Sequence, residues 1–204
     1  MFKKLRRRRA TLTSRTSGYF NDRLDGAGDM LHRARGASIL DIGCSRGMVA
    51  FQFAMAGASL VHGCDVYEEG LKTAREVFAE WPISSRFEYV DLIGGPSALS
   101  KAFGSEYRRR YDIVLYLAVH HKLKRVMEPA PLDALVRHLV DRAGKWFLWR
   151  GFLEQFDEVA AAADASGLML VQTSNISQAV RNHVAIWTRP GFLDQAEPNL
   201  LPKV

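Results

Sequence analysis

The chain has 204 residues, of which 48% are hydrophobic, 25% charged and 10% aromatic, proportions that fit a globular domain with one full core and exclude a disordered or fibrous chain. Two cysteines, Cys44 and Cys64, exclude a disulfide framework and a cysteine-built metal site, and point to a reducing, cytoplasmic setting. The longest uninterrupted apolar run, Ile113 to Val119, is far shorter than the roughly 18 residues a membrane span needs, so no integral membrane protein is expected. The formal charge of +6 is unevenly placed: residues 1–36 hold ten Lys/Arg and three Asp, leaving 18 basic and 19 acidic residues for the remainder.

The densest part of that N-terminal arm is Lys3, Lys4 and Arg6 to Arg9. It lacks the apolar stretch of a secretory signal. Such a run attracts phosphates on nucleic acid or on an anionic lipid surface, or it is simply a solvated start to the chain.

From residue 38 onward, short apolar runs alternate with helical patterns, which predicts a largely parallel sheet with helices on both faces. Ser38 to Ile42 reads as the first strand and Met48 to Met55 as a helix stopped by Gly57. Ser59 to Gly63 reads as a second strand ending at Asp65. Leu71, Ala74, Phe78 and Trp81 share one face of a helix that Pro82 closes. Phe87 to Val90 leads to Asp91 as a third strand, and Asp112 to Val119 is a fourth, apolar enough for the sheet centre. Leu132 to Val140 gives an amphipathic helix ended by Gly144, followed by a strand over Lys145 to Trp149 and a helix over Phe156 to Ala163. Leu168 to Thr173 and His183 to Thr188 are separated by about nine residues, too few for a helical crossover, so these strands should pair antiparallel.

The strongest local signal is Asp41-Ile-Gly-Cys-Ser-Arg-Gly47, set between a strand and a helix. This run resembles the acidic-x-Gly-x-Gly-x-Gly loop of class I S-adenosylmethionine (SAM) dependent methyltransferases, with Ser45 at the place of the middle glycine. The dinucleotide pattern G-x-G-x-x-G is absent, which argues against NAD and FAD. Asp65 lies 18 residues beyond Gly47 at a strand end, where an acid can accept from both hydroxyls of a ribose. Asp91 ends the third strand, where the resemblance implies an acid facing the adenine amino group. SAM carries a sulfonium and an ammonium but no phosphate, so an acid-rich pocket suits it, with Asp41 toward the ammonium. The resemblance covers roughly residues 37–190 and implies a seven-stranded Rossmann-like sheet of order 3-2-1-4-5-7-6 with the last strand antiparallel. It divides the chain into an arm and lid segment (1–36), a methyltransferase domain (37–190) and a tail (191–204).

The expected cofactor-binding residues are Asp41, Gly43, Cys44, Ser45, Gly47, Asp65, Val66, Asp91, Leu92, Tyr116 and Leu117. The run Tyr116-Leu-Ala-Val-His-His121 leaves the fourth strand at the same rim and resembles the corresponding segment of small-molecule and glycan methyltransferases. His120 and His121 are the candidate catalytic bases, since an imidazole can take a hydroxyl proton at neutral pH; a loop-closing hydrogen bond is the plainer role. Arg150 could receive an acceptor's carboxylate or phosphate, or pair with a nearby acid. Tyr19 is a candidate lid residue over the bound molecules. Arg108 to Arg110 fall at the opposite end of the sheet and read as a solvated patch, and both cysteines as small apolar fillers. The expected reaction is transfer of the SAM methyl to an oxygen or nitrogen of a small molecule or glycan, leaving S-adenosylhomocysteine. The alternatives are an RNA methyltransferase that uses the basic arm, and a non-catalytic SAM-binding or nucleic-acid-binding module.

Overall fold

The computed structural model describes residues 24, 26–176 and 182–195; Tyr19, the arginine run and most of the tail lie outside them. Seven strands, β1 (Ser38–Ile42), β2 (Leu60–Asp65), β3 (Ser84–Tyr89), β4 (Tyr111–Leu117), β5 (Ala143–Phe152), β6 (Met169–Ile176) and β7 (Asn182–Thr188), form one sheet. Its order is β3-β2-β1-β4-β5-β7-β6. The pairs of β1 with β2 and β4, of β2 with β3 and of β4 with β5 are parallel, and β7 runs antiparallel to both neighbours, as the short connection before it requires.

Among the described residues six helices flank the sheet: α1 (Met48–Met55), α2 (Glu68–Ala79), α3 (Pro96–Phe103), α4 (His120–Leu123), α5 (Pro129–Arg142) and α6 (Phe156–Ala165). On one face, Phe53 of α1 and Leu71 and Phe78 of α2 pack with Ile39, Val61, Ile113 and Leu148. On the other, Leu99 and Phe103 of α3, Leu135 and Leu139 of α5 and Val159 of α6 pack with Leu40, Val114 and Phe147. Alternate residues of the inner strands thus feed opposite cores, the period-2 geometry of a sheet covered on both faces.

The structure departs from the sequence reading in places that have simple causes. Helix α3, which none of the patterns above predicts, is one short amphipathic segment, two turns long, anchored by Leu99 and Phe103. Gly144 does not cap α5 but lies within β5, where a Cβ would approach the Tyr111 carbonyl oxygen to 3.0 Å. The folded body also begins before residue 37. A 3-10 helix, Gly28–Arg33, buries Met30, and Leu24, Ala27 and Ala34 join the same core.

Candidate active site

A cleft of about 700 Å³ opens at the carboxyl ends of the parallel strands, the edge where ligands bind in open α/β sheets. Its first wall is the loop between β1 and α1. Gly43, Ser45 and Gly47 all adopt positive φ, at 75°, 52° and 70°. Two of these positions need glycine for space as well as for conformation: a Cβ on Gly43 would lie 2.3 Å from Val119 Cγ2, and one on Gly47 would lie 2.9 Å from Ala74 Cβ. Ser45 pays the left-handed cost of a side chain, about 1–2 kcal/mol, and its N–H is held by the Asp65 carboxylate at 2.8 Å. The N–H groups of Gly43 and Cys44 both donate to the Cys64 carbonyl, at 2.8 and 3.0 Å, which fastens the loop to the end of β2.

Asp65 is consequently a fixed group. One oxygen accepts from Ser45 N–H and the other from Tyr67 N–H at 2.9 Å. Each oxygen retains acceptor capacity, since a carboxylate offers about four lone-pair sites. Asp91 is set similarly at the end of β3, accepting from Ile93 N–H at 3.0 Å. Asp41 is buried, 3% exposed, beneath the loop and does not line the cleft wall.

The opposite wall comes from β4, α4 and β5. Leu117 pairs with Arg150 across β4 and β5, and the next residue, Ala118, turns at φ 59° while its N–H donates to the Arg150 carbonyl at 2.7 Å. This turn launches α4 over the cleft mouth. His121, Lys122, Leu123, Val126 and Arg150 line that side. His121 stacks edge-on against Phe152, ring centres 5.0 Å apart. Partial burial, and then the charges of Lys122 and Arg125, lower its pKa from the ordinary histidine value, so the ring is neutral at pH 7.

His120 faces the other way. It is 2% exposed, its Nδ1 lies 3.2 Å from Tyr116 Oη, and its Nε2 lies 3.1 Å from Glu158 of α6, which also pairs with Lys124. The carboxylate can only accept, so Nε2–H donates to it, and Nδ1 meets the Tyr116 hydroxyl. His120 therefore ties β4 and α4 to α6 and closes a loop, the plainer of its two roles; the helix that carries both histidines turns one of them into the core. Tyr116, expected at the cofactor, is fully buried on that same inner side.

Of the residues singled out in the sequence, the cleft brings together Gly43, Ser45, Asp65, Val66, Asp91, Leu92, Leu117, His121 and Arg150. Asp41, Cys44, Gly47, Tyr116 and His120 stand behind its walls. Burial pushes the Cys44 thiol well up and that of Cys64 to about 12, so both are neutral and inert, as fillers should be. Tyr67, Val119, Lys122 and Val126 line the cleft as well. Val119 belongs to the run singled out at the end of the fourth strand, and the stretch from Lys122 to Pro131 reads in the sequence as a place for substrate recognition; Tyr67 carries no such signal.

Sheet order, glycine loop and strand-end acids together define the class I SAM-dependent methyltransferase fold, and the chain has that fold. Solved structures share it. Magnesium protoporphyrin IX methyltransferase of Synechocystis PCC 6803, crystallised with SAM, superposes with a TM-score of 0.58 at 20% identity, covering 76% of this chain and 71% of that one. The N-methyltransferase NodS of Bradyrhizobium japonicum WM9 gives 0.58 at 13% identity, covering 79% and 91%. A TehB-like SAM-dependent methyltransferase of Corynebacterium glutamicum ATCC 13032 gives 0.55 at 19%, covering 76% and 81%. By sequence, the ubiquinone biosynthesis O-methyltransferase of Neisseria meningitidis serogroup C (strain 053442) is 43% identical over 54 residues, 26% of this chain and 21% of that protein. The match therefore spans about a fifth of that relative's length. No family model matches the chain.

Proposed function

We propose that the protein is a SAM-dependent methyltransferase acting on an oxygen or nitrogen of a small, anionic acceptor. The observation that carries this reading is the division of charge across the cleft. Asp65 and Asp91 stand on the β2 and β3 side, and His121, Lys122 and Arg150 on the β4 and β5 side. The acidic half fits a cofactor with a sulfonium, an ammonium and ribose hydroxyls, and offers no cation to a nucleotide phosphate. Asp65 would hold the ribose, and Asp91 with Val66 and Leu92 the base; Asp41, beneath the loop, adds negative potential under the ammonium. Bound there, SAM supplies a methyl group on an excellent leaving group.

The chain's own residues then have two tasks. Lys122 and Arg150 draw in and orient an anionic acceptor, a contribution of proximity that can supply much of the rate. His121, neutral at pH 7, accepts the proton that a hydroxyl or protonated amine must shed. Among the described residues no second domain covers the mouth, and the rim is short and partly apolar, with Val66 55% and Val126 61% exposed. That rim suits a compact acceptor over a glycan chain.

The experiment is a turnover screen with methyl-labelled SAM against pools of phenolic, hydroxy and amino acids, neutral glycans and RNA. The reading expects label in an acidic small molecule. Label confined to neutral glycans or RNA, or SAM binding with no transfer to any pool, would contradict it.

A further inference from the structure

At the amino-terminal ends of the strands, opposite the cleft, a second concentration of charge is left over by the catalytic reading. A pocket of about 300 Å³ opens there, with Arg33, Arg35, Lys145 and Asp112 among its lining residues. Its carboxylate is already engaged: Asp112 accepts from the Ser38 N–H and hydroxyl at 2.8 and 2.7 Å and pairs with Lys145 at 2.9 Å. Lys145 balances that acid, and Arg35, exposed at the pocket's edge, adds positive charge. The Arg33 guanidinium lies 4.3 Å over the Trp146 ring, and Trp146 itself is 2% exposed.

The strand registers extend this pocket into a row. Arg108 to Arg110 lead directly into β4 at Tyr111, beside Asp112. Arg189 N–H donates to the Lys145 carbonyl at 3.0 Å, which places it on the next strand. The Arg189 guanidinium itself is held by the Ala143 and Ser166 carbonyls, each at 2.9 Å. Arg35, Arg110 and Lys145 thus stand at this end of the adjacent strands β1, β4 and β5, a row roughly 10 Å long at about 4.8 Å per strand. Arg35 and Arg108 to Arg110 are exposed.

The chemistry of the row selects its partner. It is almost all arginine, whose planar fork matches phosphate oxygens, and it is linear. A lipid surface is taken up by apolar side chains as well as charge, and the large apolar side chains exposed at this end, Met169 and Leu170, sit apart on the edge strand β6. We propose that this end of the sheet is a docking face for single-stranded nucleic acid, gripped through its phosphates without base readout. The length of β4 separates it from the cleft by about 20 Å, so the bound strand is a tether and not the methyl acceptor. The proposal stands whether or not the cleft transfers methyl groups.

Binding of a labelled 20-nucleotide oligo(U) RNA to the full chain, followed by fluorescence anisotropy over a salt series, tests it. The variant Arg108→Ser/Arg109→Ser/Arg110→Ser should bind at least tenfold more weakly. Its plot of log affinity against log salt should be flatter by about 2, since each single-strand phosphate contact contributes about 0.7. Arg35→Ser should shift in the same direction by less, and decides the matter should the triple variant melt earlier than wild type. The Lys3 to Arg9 run is identical in all three proteins, so differences between them belong to this face. An unchanged affinity and salt slope in both variants would overturn the proposal. So would a wild-type chain that ignores RNA but binds phosphatidylserine vesicles through the same arginines.

Discussion

On the β1 to β3 side of the cleft the loop and the two carboxylates are held by backbone N–H groups. Gly43 and Cys44 donate to one carbonyl, Ser45 and Tyr67 to one carboxylate, and Ile93 to another. On the β4 to β5 side the groups ride on α4, four residues long, launched by the single left-handed turn at Ala118 and fastened from behind by His120 and Glu158. The first half is a rigid socket and the second an adjustable wall. Under the proposed function the difference teaches where specificity would reside: a socket whose geometry comes from strand ends and glycines would serve one invariant ligand, while a wall made of a short helix could be altered for each acceptor.

Exchanging the two histidines' roles is the sharpest way to break this comparison. His121→Ala should lower turnover by roughly 10² to 10⁴ while SAM affinity stays within a few-fold. In the wild type, turnover should rise with pH and level off, because the unprotonated ring is the base. Its pKa is lowered by burial, so the acid limb should fall below pH 6.5, and a limb centred above that value would remove His121 as the base. Gly43→Ala strikes the point where socket and wall meet. Left-handed strain together with the overlap on Val119 should cost about 2–4 kcal/mol of stability, read from denaturant midpoints, with SAM binding lost in the same variant. His120→Ala should behave oppositely to His121→Ala. It leaves the buried Tyr116 hydroxyl without its partner, about 1–3 kcal/mol, yet at temperatures where the fold persists turnover should remain within a few-fold of wild type.

The socket was legible in the sequence because its determinants are local. A glycine that must adopt positive φ, and an acid at the end of an apolar run, mean the same thing in any strand-loop-helix unit, and Asp65 and Asp91 were found that way. The strand order followed from the resemblance and from one short connection that forbids a crossover. The wall was half legible. The pair His120-His121 marks the right segment, but consecutive residues on a helix point about 100° apart, so only one of them can face the cleft. A four-residue helix carries no amphipathic period to say which. The choice is made by Glu158, 38 residues away in sequence, and no local pattern contains it. The same holds for Tyr116, whose inward orientation follows from the parity of β4 within the sheet.

Isothermal titration of SAM into wild-type protein and Asp65→Asn tests the central claim most directly. Replacing the carboxylate by an amide removes the charge while keeping shape and one acceptor oxygen. The account predicts micromolar binding by wild type and a loss of about 2 kcal/mol, near thirtyfold, in the variant, the worth of charge-assisted hydrogen bonds to ribose hydroxyls. Wild-type protein that is folded and does not bind SAM, or a variant that binds it as tightly as wild type, would contradict the account.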